Sequence, residues 1–327
     1  MSKSKSLPPK AVDQPQTPAG DEIFLDHVGW FVPDIEKASR QFEDLGFVLT
    51  PFVAQHNADP KGGAPVPAGT GNRCAMLRQG YLEILTASDG ADTPLAQQLN
   101  AAVARYTGLH LIAFSIDDAV LAHARLAAGG FTPLPPVHLR RPLALPPGVS
   151  GGGKAEVAFT VLRVPPRAMV EGRVQMLRQE TPNLVWQDHL LARDNGIAAL
   201  GGVLLCVGDP VSVSDRYSGF TGRAARGGDD YRVIDLDRGR LGFATKDTCR
   251  ALLPGLHIPV TPFMAAVALQ ADDPGVIKTL CAARAISLLD DAGDGTVRID
   301  PAAAAGAAMV VFGPDSVWPP DTCLTLE

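Results

Sequence analysis

Two histidines, one glutamate and one glutamine recur at matched positions, and together they form a donor set for a metal ion. His27 lies in the apolar run Ile23-Phe24-Leu25-Asp26-His27-Val28-Gly29-Trp30-Phe31, seven residues before Asp34. His110 lies in Gly108-Leu109-His110-Leu111-Ile112-Ala113-Phe114, seven residues before Asp117. Glu83 is the lone carboxylate of Gly80-Tyr81-Leu82-Glu83-Ile84-Leu85, and Gln175 takes its place in Gly172-Arg173-Val174-Gln175-Met176-Leu177. Two imidazoles, a carboxylate and an amide oxygen are N/O ligands for a borderline divalent ion (Mn, Fe, Co, Ni or Zn) with exchangeable water. Such an ion polarises a chelating pair of oxygens and stabilises an enolate formed there. A carboxylate buried in an apolar strand needs a partner, and a cation supplies one.

The elements that position these residues repeat. After the His27 strand, Ile35, Ala38, Phe42 and Leu45 have helical spacing, with Asp34 as the cap and Gly46 as the stop. The same frame places Gly202 seven residues before Asp209 and Ala265 seven before Asp272. Four strand-then-helix starts, at offsets of 83, 92 and 63 residues, predict four copies of one unit. In the first unit, strands are predicted at 47–53, 73–77 and 81–86, with a Gly/Pro-rich loop at 54–71 that carries His56. In the second, a helix at 119–128 is followed by a Pro/Gly-rich insertion at 132–154 and strands at 157–164 and 173–178. The first unit therefore reads β-α-β-β-β. The third (200–245) and fourth (263–312) units put Gly202, Gly242, Ala265 and Met309 at the donor positions, and none of these binds a metal.

A histidine in the first strand, Tyr81-Leu82-Glu83-Ile84-Leu85 in the last, and the lead Gly69-Thr70-Gly71-Asn72-Arg73 resemble the vicinal oxygen chelate (VOC) superfamily, in particular its bacterial glyoxalase-like domain proteins. The superfamily includes glyoxalase I, methylmalonyl-CoA epimerase, extradiol dioxygenases and bleomycin-resistance proteins. The resemblance implies an α+β fold of four βαβββ modules forming two VOC domains in tandem. Residues 21–182 would be the metal-binding domain, 183–196 a linker and 197–313 a degenerate second domain. A disordered tail (1–20) and a C-terminal tail (314–327) would flank them. It also implies that His27, Glu83, His110 and Gln175 hold one divalent ion, with Glu83 catalytic. The activity implied is that of a lyase or isomerase acting on a small oxygenated substrate through a metal-chelated enolate. One alternative is an Fe(II) ring-cleaving dioxygenase using His27, His110 and Glu83; another is a metal-free binding protein of the bleomycin-resistance type. In glyoxalase I the counterpart of Gln175 is a glutamate base. An amide accepts no proton at neutral pH, so that role falls here to Glu83 or to a hydroxide on the metal.

Arg173 alternates with Gln175 and so faces the same side of the sheet. There it either grips a substrate carboxylate or phosphate, or forms a salt bridge at the rim. His56 is a second substrate-binding candidate, on a loop placed to close over the cup. Composition narrows the partners. A net charge of −6 without a Lys/Arg cluster argues against nucleic acid, and no apolar run is long enough to span a membrane. Five cysteines, an odd number without a C-x-x-C pair, read as reduced thiols of a cytoplasmic protein. The N-terminal residues lack the apolar core of a secretory signal. The expected partner is a small-molecule substrate, and the expected state a monomer or homodimer.

Overall fold

The computed structural model describes residues 15–57, 63, 65–144, 154–191 and 194–321. The first unit runs through β1 (Phe24–Phe31), α1 (Ile35–Asp44), β2 (Val53–Asn57), β3 (Val66–Met76) and β4 (Tyr81–Ala87). Asp34 caps α1 by accepting from the Lys37 N–H at 2.9 Å, and the helix buries Ala38 and Phe42 against the sheet. Phe42 meets Trp30 of β1 edge-on, with ring centroids 5.1 Å apart. Helix α2 (Pro94–Arg105) leads to the second unit: β5 (Gly108–Ser115), α3 (Ala119–Ala128), β6 (Val137–Ala144), β7 (Lys154–Arg163) and β8 (Arg173–Gln179). A connector containing α4 (Pro182–Val185) precedes β9 (Ile197–Cys206), α5 (Pro210–Thr221), β10 (Ala225–Gly227), β11 (Tyr231–Asp235) and β12 (Arg240–Ala244). Helix α6 (Lys246–Leu252) then leads to β13 (Phe263–Ala271), α7 (Pro274–Ala283), β14 (Val297–Ile299) and β15 (Ala308–Phe312).

Strand pairing repeats with the units. In the first three, the first strand pairs in parallel with the last, which pairs with the third, which pairs with the second. The fourth keeps β13-β15-β14, and a single bridge from Leu288 to Ile299 stands where a further strand would lie. First strands meet antiparallel, β1 with β5 and β9 with β13, and Met264 opposite Leu109 joins the two halves into one 15-stranded sheet. Units of this kind bury both faces of their first strands, which is why β1 and β5 read as almost unbroken apolar runs.

Several local expectations are corrected. The second strand of the first unit lies at Val53–Asn57, not 47–53, and most of the expected loop at 54–71 belongs to β2 and β3. The expected insertion at 132–154 carries β6, which forms an antiparallel hairpin with β7. Of the expected tails, residues 1–14 and 322–327 lie outside the described residues. Residues 15 and 16 are held by Arg238, which donates to both carbonyls, and Trp318 is 2% exposed. Among the described residues, no helix is long and apolar enough to cross a membrane.

The largest correction concerns register. His27 lies opposite Tyr81 across β1 and β4, but the residue opposite Arg173 across β5 and β8 is Leu111, not His110. The reason lies in the paired aspartates. Asp118 rather than Asp117 caps α3, accepting from the Val120 and Leu121 N–H groups, and Asp273 rather than Asp272 caps α7. Counting seven residues back from these caps gives Leu111 and Ala266. Val310, opposite Ala268, then takes the position expected for Met309.

Candidate functional site

The two arms β1-β4-β3-β2 and β5-β8-β7-β6 enclose a cavity of about 660 Å³. His27, Glu83, Arg173, Gln175 and His56 all line it. His110 does not.

His27 is fixed from behind. The register of β1 against β5 jumps between Leu25 and His27, leaving Asp26 as the extra residue of a bulge. Its fully buried carboxylate approaches His27 Nδ1 at 2.7 Å and accepts from Gln179 Nε2 at 3.2 and 3.3 Å. With a proton on Nδ1 shared toward Asp26, the His27 Nε2 lone pair points into the cavity, the orientation imposed on a metal-bound or proton-accepting imidazole by a carboxylate behind it. Tyr81 stacks on the ring at a centroid distance of 4.3 Å. Glu83 Oε2 lies 3.8 Å from His27 Nε2, and Asn72 Nδ2 donates to Glu83 Oε1, so the carboxylate is held at one oxygen and free at the other.

Gln175 comes from β8, opposite Ala113 of β5 and Arg163 of β7. It is 8% exposed, and its Oε1 is buried with no hydrogen-bond partner among the described residues. Arg173 donates through Nε and Nη2 to Gln98 Oε1 at 3.2 and 2.8 Å and lies over the Phe31 ring at 4.9 Å. Burial pushes its guanidinium down to about 10, the charge of Arg163 adds to this, and Glu83 opposes it. His56, on β2 rather than a loop, sits at the exposed edge with Nδ1 3.1 Å from the Ala54 carbonyl.

His110 is the extra residue of the companion bulge, where the register jumps from Gly29–Leu111 to Trp30–Leu109. Its ring is sandwiched between Tyr106 at 3.9 Å and Phe31 at 5.4 Å. Nε2 donates to the Tyr106 carbonyl at 2.8 Å, and Nδ1 is buried without a partner. Burial pushes His110 down to about 4. Asp26 and His110 thus hold equivalent bulge positions, and Leu111 faces the cavity where a second imidazole was expected.

Of the four expected ligands, one imidazole, one carboxylate and one amide oxygen therefore reach the cavity, which His56 and His189 also line. Among the described residues no group of three or more His, Cys, Asp or Glu side chains is placed to hold a metal ion. His27 Nε2 and Glu83 Oε2, 3.8 Å apart, stand somewhat wider than the roughly 2.8–3.6 Å that adjacent ligands of one ion would show with metal–ligand bonds of about 2.0–2.2 Å, so the two side chains would have to close slightly around it. Gln175, on the wall of the same cavity, has an amide oxygen with no partner among the described residues, a donor of the kind borderline divalent ions accept. By chemical type these three residues suit such an ion with open positions; the four-ligand set does not assemble. The composition of the strands had pointed to the cavity-facing residues but missed Asp26, Asn72, Tyr81 and Arg163. Asp26 was readable as a charge beside His27 in an apolar strand. Strict alternation would have turned it to the other face, and only the bulge brings it back.

The glyoxalase-like domain family matches residues 25–221, more than half of the chain. The chain belongs to that family, within the VOC superfamily. No curated protein matches it. Among solved structures it is similar to a hypothetical protein from Staphylococcus aureus, with a TM-score of 0.61 at 11% identity over 89% of this chain and 99% of that one. It is also similar to a mutant of 4-hydroxymandelate synthase from Streptomyces coelicolor, with a TM-score of 0.56 at 15% identity over 89% and 92%. A third is a fusion of a xylose isomerase-like TIM barrel with 4-hydroxyphenylpyruvate dioxygenase, with a TM-score of 0.51 at 16% identity over 94% of this chain and 50% of that one. At these identities the likeness shows the fold, and its coverage takes in the second half of this glyoxalase-like protein as well as the first.

Proposed function

We propose that this glyoxalase-like protein is a lyase or isomerase that removes a proton from the carbon beside a carbonyl of a small oxygenated substrate. The observation that carries the reading is the Asp26–His27–Glu83 arrangement: an imidazole aimed by a buried carboxylate, 3.8 Å from a second carboxylate on the wall of a cavity. A divalent ion (Mn, Ni, Co, Zn or Fe) held by His27, Glu83 and Gln175 would polarise the substrate oxygen and offset the charge of the enolate. Glu83 accepts the proton, while Asn72 holds Oε1 and prevents the carboxylate from turning away. Gln175, an amide, cannot serve as a second base. It orients substrate through its amide group. The apolar wall, including Leu85, Leu111, Val161 and Leu177, excludes water from the site.

A ring-cleaving Fe(II) reading needs two imidazoles and a carboxylate at one centre, and the placement of His110 in the Tyr106–Phe31 stack disfavours it. The metal-free binding reading is separated by experiment. Purified protein is assayed for metal, then for deuterium incorporation at the carbon beside the carbonyl across α-oxygenated carbonyl compounds, with each of the five metals added. Metal-dependent exchange that falls roughly 10²–10⁴-fold in Glu83→Gln is the expected result. Exchange in no member of the panel under any metal, while ligands stabilise the metal-free protein, assigns the cup to sequestration instead.

A further inference from the structure

We infer that the cavity is built to receive the oxyanion head of an otherwise apolar molecule, with Arg163 and Arg173 as the anion-binding side chains and Arg141 as a third positive charge over the site. This deepens the proposed function by naming the substrate class, and it rests on reading the cavity as a substrate site. It does not require the proton transfer.

The argument begins with strand alternation. On β7, Val157, Phe159, Val161 and Arg163 share the cavity face, so a guanidinium ends an apolar row. Arg163 lies opposite Gln175, and Arg173 lies two residues before Gln175 on β8, so both cations flank Gln175 on the cavity wall. Arg141 reaches the same cavity from β6. Against these three cations the cavity offers one carboxylate, Glu83. Asp26 lies behind His27 and is committed to that ring and to Gln179. Among the described residues, none of the three arginines makes an ion pair with a carboxylate.

A positive charge withdrawn from water without a counter-charge is costly. Arg163 has a buried Nε with no hydrogen-bond partner among the described residues, and burial followed by the charge of Arg141 pushes its guanidinium down. Among the described residues, Arg173 is paired only with the neutral Gln98 and the Phe31 ring. A fork of donors left open at the end of an apolar cavity matches a carboxylate or phosphate, which accepts two parallel N–H bonds. The rest of the wall, Leu85, Leu95, Leu111, Leu139, Phe159 and Leu177, suits an aryl or acyl body.

The test is calorimetric titration of the full chain with phenylacetate, phenyl phosphate and the neutral 2-phenylethanol. Both anions, or one of them, should bind, and the neutral probe should bind at least ten-fold more weakly. The preferred anion distinguishes a carboxylate from a phosphate substrate. Arg163→Gln should weaken anion binding about ten- to hundred-fold, the range for a hydrogen bond to a charged group, while leaving 2-phenylethanol unchanged. The same variant should keep or raise the Tm, because it removes an unpaired buried charge; a fall in Tm would mark Arg163 as structural and count against the proposal. Glu83→Gln should tighten anion binding by removing a like charge, although it abolishes proton exchange under the proposed function, so the two readings fail separately. Absence of binding by both anions, equal binding of the neutral probe, or indifference to Arg163→Gln would each overturn the inference.

Discussion

His27 and His110 are both buried and both imidazoles, and their surroundings give them opposite tasks. His27 has a carboxylate at Nδ1 and turns Nε2 toward Glu83, 3.8 Å away; His110 has a carbonyl at Nε2 and, among the described residues, no partner at Nδ1. For His27, replacing the anchoring acceptor by Asp26→Asn should lower activity or metal affinity by roughly 10–100-fold, the usual effect of removing the group that orients a ligand. Turnover and metal content measured on samples of matched Tm separate lost orientation from lost fold. For His110 the consequence is in stability. Its folded value, about 4, lies below its ordinary 6.5, so the unfolded chain binds the proton more readily. Stability from this group is fully present above pH 6.5, falls as pH drops from 6.5 toward 4, and changes no further below that. The loss approaches roughly 3 kcal/mol at the acid end of the window, at 1.36 kcal/mol per pH unit. His110→Phe, which keeps the aromatic stack without a titrating nitrogen, should flatten this fall. Urea midpoints at pH 7 and pH 4.5 give the comparison. An equally steep acid loss in the variant would place the titration elsewhere.

At the scale of elements, the two antiparallel first strands β1 and β5 carry a bulge each, and the bulges decide which side chains reach the cavity. Much of this architecture was legible. Helical spacing after Asp34, the glycines before β4 and β8, and the apolar first strands follow directly from residue type. The equivalence of Glu83 with Gln175 is also the one the pairing displays, opposite Gly29 and Ala113. The register of His110 was not legible, because either aspartate of Asp117-Asp118 can cap a helix, and the choice moves every upstream residue by one. A one-residue shift exchanges the faces of a strand, which is how Leu111 came to stand where a histidine was expected. The hairpin partner β6 was hidden by the Pro-rich segment around it and by Pro142 within it, since proline is tolerated at a sheet edge and among the described strands β6 pairs only with β7. The register makes a gain-of-function prediction. Leu111→His should place a second imidazole on the cavity wall and raise the affinity for added Zn or Ni. His110→Ala should leave metal content unchanged while lowering stability through the lost stack. If His110→Ala abolishes metal binding and Leu111→His adds none, the bulge assignment is wrong.

The two halves of the molecule use the same frame to different ends. We propose that residues 197–313 form a second, structural domain whose cup is closed by the chain itself. At the positions equivalent to His27 and Glu83 stand Gly202 and Gly242, and the space their side chains would take is filled by the segment after β15. A Cβ at Gly202 would lie 2.8 Å from Pro319 Cδ, and one at Gly242 2.9 Å from Pro319 Cβ. Trp318, buried with Leu204, Phe263 and Val310, completes the plug. Removing that indole should cost about 3–5 kcal/mol, the range for a buried Trp→Ala, so Trp318→Ala should lower the Tm without changing metal content at the first cup. The domain also covers the first half. Trp30 Nε1 donates to the Ala304 carbonyl at 3.0 Å, Tyr106 Oη accepts from the Met264 N–H at 3.3 Å, and Phe114 packs against Phe220 with centroids 5.9 Å apart. A chain ending at Trp186 would expose Trp30 and Phe114 together with the apolar faces around Leu25 and Tyr106, a patch that calls for a partner or leads to aggregation. Such a fragment should therefore be insoluble or self-associated, as judged by light scattering, whereas the intact chain carries its own cover. A soluble monomeric fragment with full activity would show that the second half has a task other than covering the first.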